Sequence, residues 1–463
     1  MDYKSVGMLF SRVVTILALQ MLLSFPLAGQ QSFINVSHPH FAITHVTLID
    51  GSGDSARYDQ HVVVKNGLIA RTGPADSLSL PPGLPTVNGR GKTLIPGIVG
   101  VHNHLQMPGR TFLGPAAVRL SLACGVTTMM TCGAAEPERE LELMKWVEAG
   151  SVAGPEIIPS APYITGPGGN PNMIVAGDGS RLRDTIRYWC ERGVRWFKVY
   201  RQTRPEDLAV VVDEAHRHGA RVTGHLCATT LAEAARIGID GIEHGLNSAN
   251  EFRPGKTPGN CDGSMSYMDR LDVQSAEVTQ LLTTLVDHGV SLTSTLSIYE
   301  ASIAGRYPPD ERTLQAMTPA MRSRYAQAPN ELQDSTRLQR LQRIMAFERR
   351  FVDLGGLLAA GPDPGRHNLP GYGDQRNYAL LREAGFSTGE AVRIMTYNGA
   401  AVLGREDIGK ISEGMRADLV LLEGDLTADP GAIRAVRTVF RAGTGYNVSA
   451  LTASVAGQIG PEN

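Results

Sequence analysis

From Ile98 to Asp363 the sequence alternates short apolar runs with stretches of helical periodicity, and nothing else in it limits the fold so strongly. The runs are "IVGVHNH", "VTTMMTC", "EIIPSAPYI", "VRWFKVY", "ARVTGHL", "GIDGIEHG", "VSLTSTL" and "GLLAAGPD". Between them lie amphipathic segments such as "PEDLAVVVDEAHRHG" (205–219) and "LQRIMAFERRFVDLG" (341–355). Strands alternating with helices build βαβ units and a parallel sheet. Eight such strands predict an α/β protein with a (β/α)8 TIM barrel over residues 98–404, ending on a helix in "EAVRIMTYNGAAVLG" (390–404). A chain of 463 residues is long enough for such a barrel and a second, smaller unit.

Both flanks read as β structure. "FAITHVTLID" and "HVVVKNGLIARTG", within 41–97, are rich in β-branched residues, and Asn66-Gly67 is a two-residue hairpin signal. Residues 405–448 return to β in "IGKISEGMRADLVLLEG" and "AVRTVFRAG". The two ends are expected to pair into one small β-sandwich with the barrel inserted between its halves. Ahead of them, Lys4 and Arg12 precede the apolar run "VVTILALQMLLSFPLAGQ" (13–30), which closes on Ala28 and Gly29. That is the layout of a secretory signal peptide over residues 1–30. Gln20, Ser24 and Pro26 interrupt the run, so no permanent membrane anchor is expected. The expectation is an exported protein, periplasmic or extracellular, whose mature chain begins between residues 28 and 33. A net charge of −2 gives no basic excess for nucleic acid. Five scattered cysteines without CxxC spacing predict core thiols rather than a disulfide framework.

Polar residues recur at the predicted strand ends. His102 and His104 close the first strand, and alternation puts both on one face. His225 closes the fifth, His244 the sixth and Asp363 the eighth. In "VRWFKVY" the same alternation groups Trp196, Lys198 and Tyr200, so Lys198 points inward. An unpaired buried ammonium is costly and tends to lose its proton. The neutral amine can add carbon dioxide to give a carbamate, an anion able to bridge two cations. Two long segments rich in Gly, Pro and Asn, 164–180 and 246–271, are expected to be loops at the carboxyl ends of the strands, shaping or covering a pocket.

The motifs "LIPGIVGVHNHL", "FKVY", "GHL", "GIDGIEHG", "GPD" and "IGKISEGMRADLVLL", in that order, resemble the amidohydrolase superfamily in its imidazolonepropionase-like and prolidase-like branch. The resemblance runs from about Phe41 to the end of the chain. It implies a β-sandwich with a distorted TIM barrel and two divalent metal ions, zinc first among them. It assigns His102, His104 and Asp363 to the more buried metal and His225 and His244 to the more exposed one. Lys198, as N6-carboxylysine, bridges them. The chemistry it implies is hydrolysis of a C–N amide or peptide-like bond by a metal-bridging hydroxide, with Asp363 moving the proton. Tyr200 and Asn170 are secondary candidates, Tyr200 for catalysis and both for substrate contact. Lactones, cyclic amides and phosphotriesters are alternative substrates, and a non-catalytic metal-binding barrel is the reading from another class. Relatives that cleave dipeptides often hold the substrate carboxylate with a His after the Gly-Gly of the third loop and a Tyr two residues after the strand-five His. Here those positions are Asn170 and Cys227. A small molecule or short peptide is the expected substrate, and a homo-oligomer the expected assembly.

Overall fold

The computed structural model describes residues 28–106, 110–326 and 335–461. The apolar N-terminal run up to residue 27 lies outside them. The leading strands are β1 (Ile34–Val36), β2 (His40–Leu48), β3 (Arg57–Lys65), β4 (Leu68–Pro74), β5 (Thr86–Asn88) and β6 (Lys92–Pro96). Next come β7 (Ile98–Asn103), β8 (Val126–Thr131), β9 (Glu156–Ile158), β10 (Ile164–Thr165), β11 (Ile174–Val175) and β12 (Trp196–Val199). They continue with β13 (Arg221–Gly224), β14 (Gly241–Glu243), β15 (Ser291–Ser294) and β16 (Leu358–Ala360). The last are β17 (Leu419–Glu423), β18 (Val436–Arg441) and β19 (Thr444–Asn447).

The two ends of the chain meet in one sheet, ordered β1-β19-β18-β17-β6-β2-β3-β4, with β5 beside β2. The Asn66-Gly67 hairpin forms as its sequence requires: both residues take positive φ, 53° and 78°, and join β3 to β4. The sheet folds back over its own core, so Phe41 of β2 stacks on Phe440 of β18 with ring centroids 5.5 Å apart.

The central segment forms two parallel sheets, β7-β8-β9 and β11-β10-β12-β13-β14-β15-β16. Backbone links join them at both seams. Ser160 bridges Trp196 in parallel, and Asp363 N–H donates to His102 C=O at 3.0 Å. The architecture is therefore mixed α/β with parallel strands that carry their polar residues at one end. Helices cover the outside. Pro205–Arg217 shows why: Pro205 starts it, Glu206 and Asp207 sit in its first turn, and Leu208, Val211, Val212 and Ala215 form the buried stripe.

Local departures from the sequence expectations have local causes. The run "EIIPSAPYI" is broken by Pro159 and Pro162, which cannot donate to a ladder, so β9 pairs with β8 while β10 pairs with β12. Segment 164–180 is not all loop, because it contains the short pair β10 and β11. Segment 246–271 holds short helical turns, including Tyr267–Arg270. The helix expected over 390–404 is two, Thr388–Met395 and Tyr397–Leu403, separated at Thr396. Among the described residues no helix is long and apolar enough to cross a membrane.

The cysteines also correct the sequence reading. Cys124, Cys132 and Cys190 are buried thiols as expected, but Cys227 and Cys261 form a disulfide across 34 positions. The bond ties the turn after β13 to segment 246–271. Closing a loop of that size in the unfolded chain stabilises the folded one by about 2–4 kcal/mol. Cys261→Ser should therefore lower the thermal midpoint by several degrees, measured without reductant. An unchanged midpoint would mean that the bond constrains nothing.

Two buried carboxyls set a pH dependence of stability. Burial pushes Glu140 and Glu348 up to about 8, against the opposing pull of Thr131 and Ser294. Between pH 4.5 and 8 the folded chain holds these protons and the unfolded chain does not, so stability falls as pH rises. The slope is about 1.4 kcal/mol per pH unit for each such carboxyl. Glu348→Gln should flatten part of this slope in denaturant titrations at pH 5 and pH 8. A slope identical to that of the parent would refute the assignment.

Candidate metal centre

The polar cluster stands at the carboxyl ends of the parallel strands. His102 lies in β7 and His104 one residue beyond it; Lys198 is inside β12. His225 and His244 directly follow β13 and β14, and Asp363 comes shortly after β16. His244 and Asp363 both adopt positive φ, 69° and 45°. A left-handed backbone at a non-glycine residue is strained, and such strain concentrates where side chains must be aimed.

His102, His104 and Asp363 converge. The two Nε2 atoms are 3.2 Å apart, and Asp363 Oδ1 lies 3.1 Å from His104 Nε2 and 3.5 Å from His102 Nε2. His244 Nδ1 is 3.8 Å from Asp363 Oδ2. The His225 ring is 4.4 Å from that of His244, centroid to centroid, and 4.9 Å from Tyr200. Among the described residues neither ring nitrogen of His225 has a hydrogen-bond partner. Asn170 lies in the loop after β10, where its carboxamide oxygen accepts from Asn172 N–H at 3.0 Å.

Behind the convergence stand residues that the sequence reading did not single out. Glu243, fully buried in β14, accepts from His102 Nδ1 and from Thr223 Oγ1 at 2.5 Å. Tyr163 OH meets His104 Nδ1 at 2.9 Å, and Thr295 Oγ1 meets His244 Nδ1 at 2.9 Å. Each of the three imidazoles is thus held through Nδ1 by a neighbour, a pattern that fixes the orientation of metal-binding histidines. Strand alternation would set Glu243 and His244 of "GIEHG" on opposite faces; the left-handed backbone at His244, φ 69°, breaks that rule, so Glu243, like Tyr163 and Thr295, carries no sequence signal.

Lys198 is buried as expected, with 1% exposure, but it is not unpaired. Its Nζ donates to Cys132 Sγ at 3.0 Å, and Cys132 in turn donates to Glu243 Oε1 at 3.3 Å. Burial pulls the lysine down, but Cys132, Glu243 and Asp363 pull it up further, and the net is above its ordinary value. The sequence argument for a free amine by desolvation alone therefore does not hold in this form. Burial drives His104 down to about 4 and His244 down to about 3, so both are neutral and able to ligate at pH 7. Asp363 is pushed up by burial, but the neighbouring imidazoles, His102 first, hold it well below the carboxylate range.

Donor types and distances fit a divalent cation. Ligating atoms of His102, His244 and Asp363 all lie within 4.8 Å of one another, and imidazole with carboxylate suits zinc and its neighbours. His102, Cys132 and Glu243 form a second such group, but its members already satisfy each other by hydrogen bonds. We read that group as the support behind the ligands. A cavity of about 400 Å³ lies elsewhere, lined by Arg312, Tyr372, Arg434 and Thr452 among others, and shares no residue with this cluster.

Residues 372–451 match the Amidohydrolase family. Over 89 residues, 18% of the chain, the sequence is 38% identical to the imidazolonepropionase of Clostridium tetani (strain Massachusetts / E88). Both matches lie in part of the chain and mark its likeness to the amidohydrolase superfamily. The chain spans about a fifth of the length of that curated relative, 20%. Solved structures share the fold across most of the chain. A putative prolidase from Bifidobacterium longum superposes with a TM-score of 0.65 at 22% identity, covering 90% of this chain and 98% of that one. A bottromycin amidohydrolase gives 0.68 at 20% identity, covering 90% and 91%. A Xaa-Pro dipeptidase with bound methionine in its active site gives 0.65 at 18%, covering 88% and 100%.

The support behind the candidate ligands makes a checkable expectation. Glu243→Gln should weaken metal retention about 10- to 100-fold, the usual effect of removing a carboxylate that orients a ligating histidine. Equilibrium dialysis against a chelator measures it. Unaltered affinity would place Glu243 outside the metal's support.

Proposed function

We propose that this chain is an exported, metal-dependent hydrolase of a C–N amide or peptide-like bond in a small substrate. The carrying observation is the convergence of His102, His104, His244 and Asp363, with His225 beside them, at one end of the parallel strands. We take the eight principal strands as a distorted (β/α)8 barrel and the sheet of the two chain ends as its small sandwich-like partner.

In this reading His102, His104 and Asp363 would hold one divalent ion, His225 and His244 would hold the other, and Lys198, if carboxylated, would add an anionic ligand. Bound there, such ions would supply Lewis-acid chemistry for hydrolysis. The chain's own residues do the rest. Asp363, anionic and 20% exposed at the mouth, takes a proton and returns it to the departing nitrogen. Glu243, Tyr163 and Thr295 keep the imidazoles aimed, so little reorganisation accompanies the reaction. Tyr200, its ring against His225, borders the space where substrate enters. The relatives' prolidase and dipeptidase descriptions favour a peptide-like bond. The Cys227–Cys261 disulfide favours an oxidising compartment, in keeping with the N-terminal signal.

The test is a screen of dipeptides, N-acyl amino acids and lactones against enzyme loaded with zinc, alongside elemental analysis. Two ions per chain with turnover of amides is the expected result. Turnover confined to lactones would move the reading to ester chemistry. Full folding with no metal bound would end it.

A further inference from the structure

Away from the metal centre, the cavity of about 400 Å³ lies where three stretches of the chain meet. They are helix Glu311–Ala316, the first turn of helix Tyr372–Glu383, and the region of β18 with helix Val448–Ala453. Two cations line it, Arg312 and Arg434, and among the described residues no carboxylate does. The Cys124 thiol and the Tyr372 phenol of its wall are pushed up by burial, so neither supplies an anion. Arg312 is held in place. Its guanidinium lies over the Tyr372 ring, 4.5 Å from the centroid. Its Nη1 donates to Gln375 Oε1 at 3.3 Å and to Arg434 C=O at 3.5 Å, which ties the two arginines together. Val436 and Val448 contribute apolar wall.

The two guanidinium groups share a single acid. Asp310 Oδ2 pairs with Arg434 Nη2 and lies 3.5 Å from Arg312 Nε, which has no hydrogen-bond partner. Oδ1 of the same carboxylate is spent on the start of its helix, accepting from Thr313 N–H at 2.9 Å and from Thr313 Oγ1 at 2.7 Å. Arg306 and Arg376, by contrast, divide Glu300 and Glu383 between them. Arg405 and Arg416 divide Glu156, Asp407 and Asp418. The cavity is thus left with positive charge in surplus, and a cleft lined by one sign of charge concentrates counter-ions. A bound monoanion cancels that surplus, and the planar fork of arginine matches a carboxylate in geometry. A dianion would instead bring a second negative charge up to Asp310. The volume stands at the small end of the range for organic ligands, enough for one substituted ring.

We propose that this cavity is a second, non-catalytic ligand site, which takes a small monocarboxylate with an apolar body and seats the anion between Arg312 and Arg434. It stands apart from the hydrolase reading, since it shares no residue with the metal centre. The test uses 4-iodobenzoate, with 4-iodobenzyl alcohol as its neutral counterpart and 4-iodophenyl phosphate as the dianion. Calorimetry on the zinc-loaded full chain gives the affinities, and anomalous scattering from soaked crystals places the iodine. Iodine in the cavity is the expected result. The carboxylate should bind about 10- to 100-fold more tightly than the alcohol, the range for hydrogen bonds to a charged group. Arg312→Gln and Arg434→Gln should each remove most of that preference, and the exposed Arg434 carries the test if Arg312→Gln does not fold. Ala453→Trp, a large side chain at an exposed position of the lining, should exclude the probe. Iodine at the metal centre alone, equal affinity for carboxylate and alcohol, or binding untouched by Arg434→Gln and Ala453→Trp would overturn the site. Tighter binding of the phosphate in the cavity would overturn the choice of a monoanion.

Discussion

Asp363→Asn is expected to lower turnover by about 10²–10⁴-fold, the usual share of general acid–base catalysis, while leaving the fold intact. Three features make this substitution clean. Asp363 sits at φ 45°, a conformation that Asn tolerates better than almost any other side chain, so the backbone does not object. The amide keeps an oxygen that can occupy the place of Oδ1, 3.1 Å from His104 Nε2. What it loses is the ability to accept a proton at neutral pH. Metal content by elemental analysis should fall modestly at most, and steady-state turnover should fall by orders of magnitude. A variant that keeps the parent's metal content and near-normal turnover would move the proposed proton-carrying role to another group.

Lys198→Ala should give the second large effect, on stoichiometry as well as rate. If the lysine bridges two ions as a carbamate, its removal should take metal content from about two ions per chain to about one and abolish most activity. Carbon-13 bicarbonate should give a carbamate resonance in the parent that is missing from the variant. Short carboxylic acids, filling the space beside Cys132 and Glu243, should restore part of the activity. The lysine's partnership with Cys132 sharpens the experiment. Unchanged metal content in Lys198→Ala would identify Lys198 as the counter-charge of Cys132 and Glu243, and the centre as one that needs no bridge.

Strand alternation explains why much of the cluster could be read beforehand. His102, Lys198, His225, His244 and Asp363 sit within or just beyond strands whose period is fixed by backbone geometry, so their common end followed once the parallel sheet was inferred. The remainder depends on distance through space. Cys132 comes to Lys198 from a different strand, and Tyr163 reaches His104 from a segment displaced by two prolines. No periodicity links such residues. Cys227 and Cys261 are the plainest case: counting cysteines favoured core thiols, and only the proximity of two loops turned them into a bond. Asn170, in its loop, has a carboxamide oxygen that accepts from Asn172 N–H at 3.0 Å, a local bond no spacing rule announces.

The ladder between β6 and β17 carries a consequence for how this molecule comes into being. It pairs Lys92–Pro96 with Leu419–Glu423, so the centre of the small sheet closes only after the whole intervening segment has been made and threaded back. Contacts so distant in sequence slow folding, since chain entropy is lost before they repay it. Until β17 arrives, β2 and β6 offer Phe41, Ile43, Val46, Leu48 and Leu94 to any other sticky surface. The nascent chain is thus most prone to aggregate late, when its metal-binding half is already complete in sequence. Truncations that remove β17 should be lost to inclusion bodies, even though they leave every candidate ligand in place.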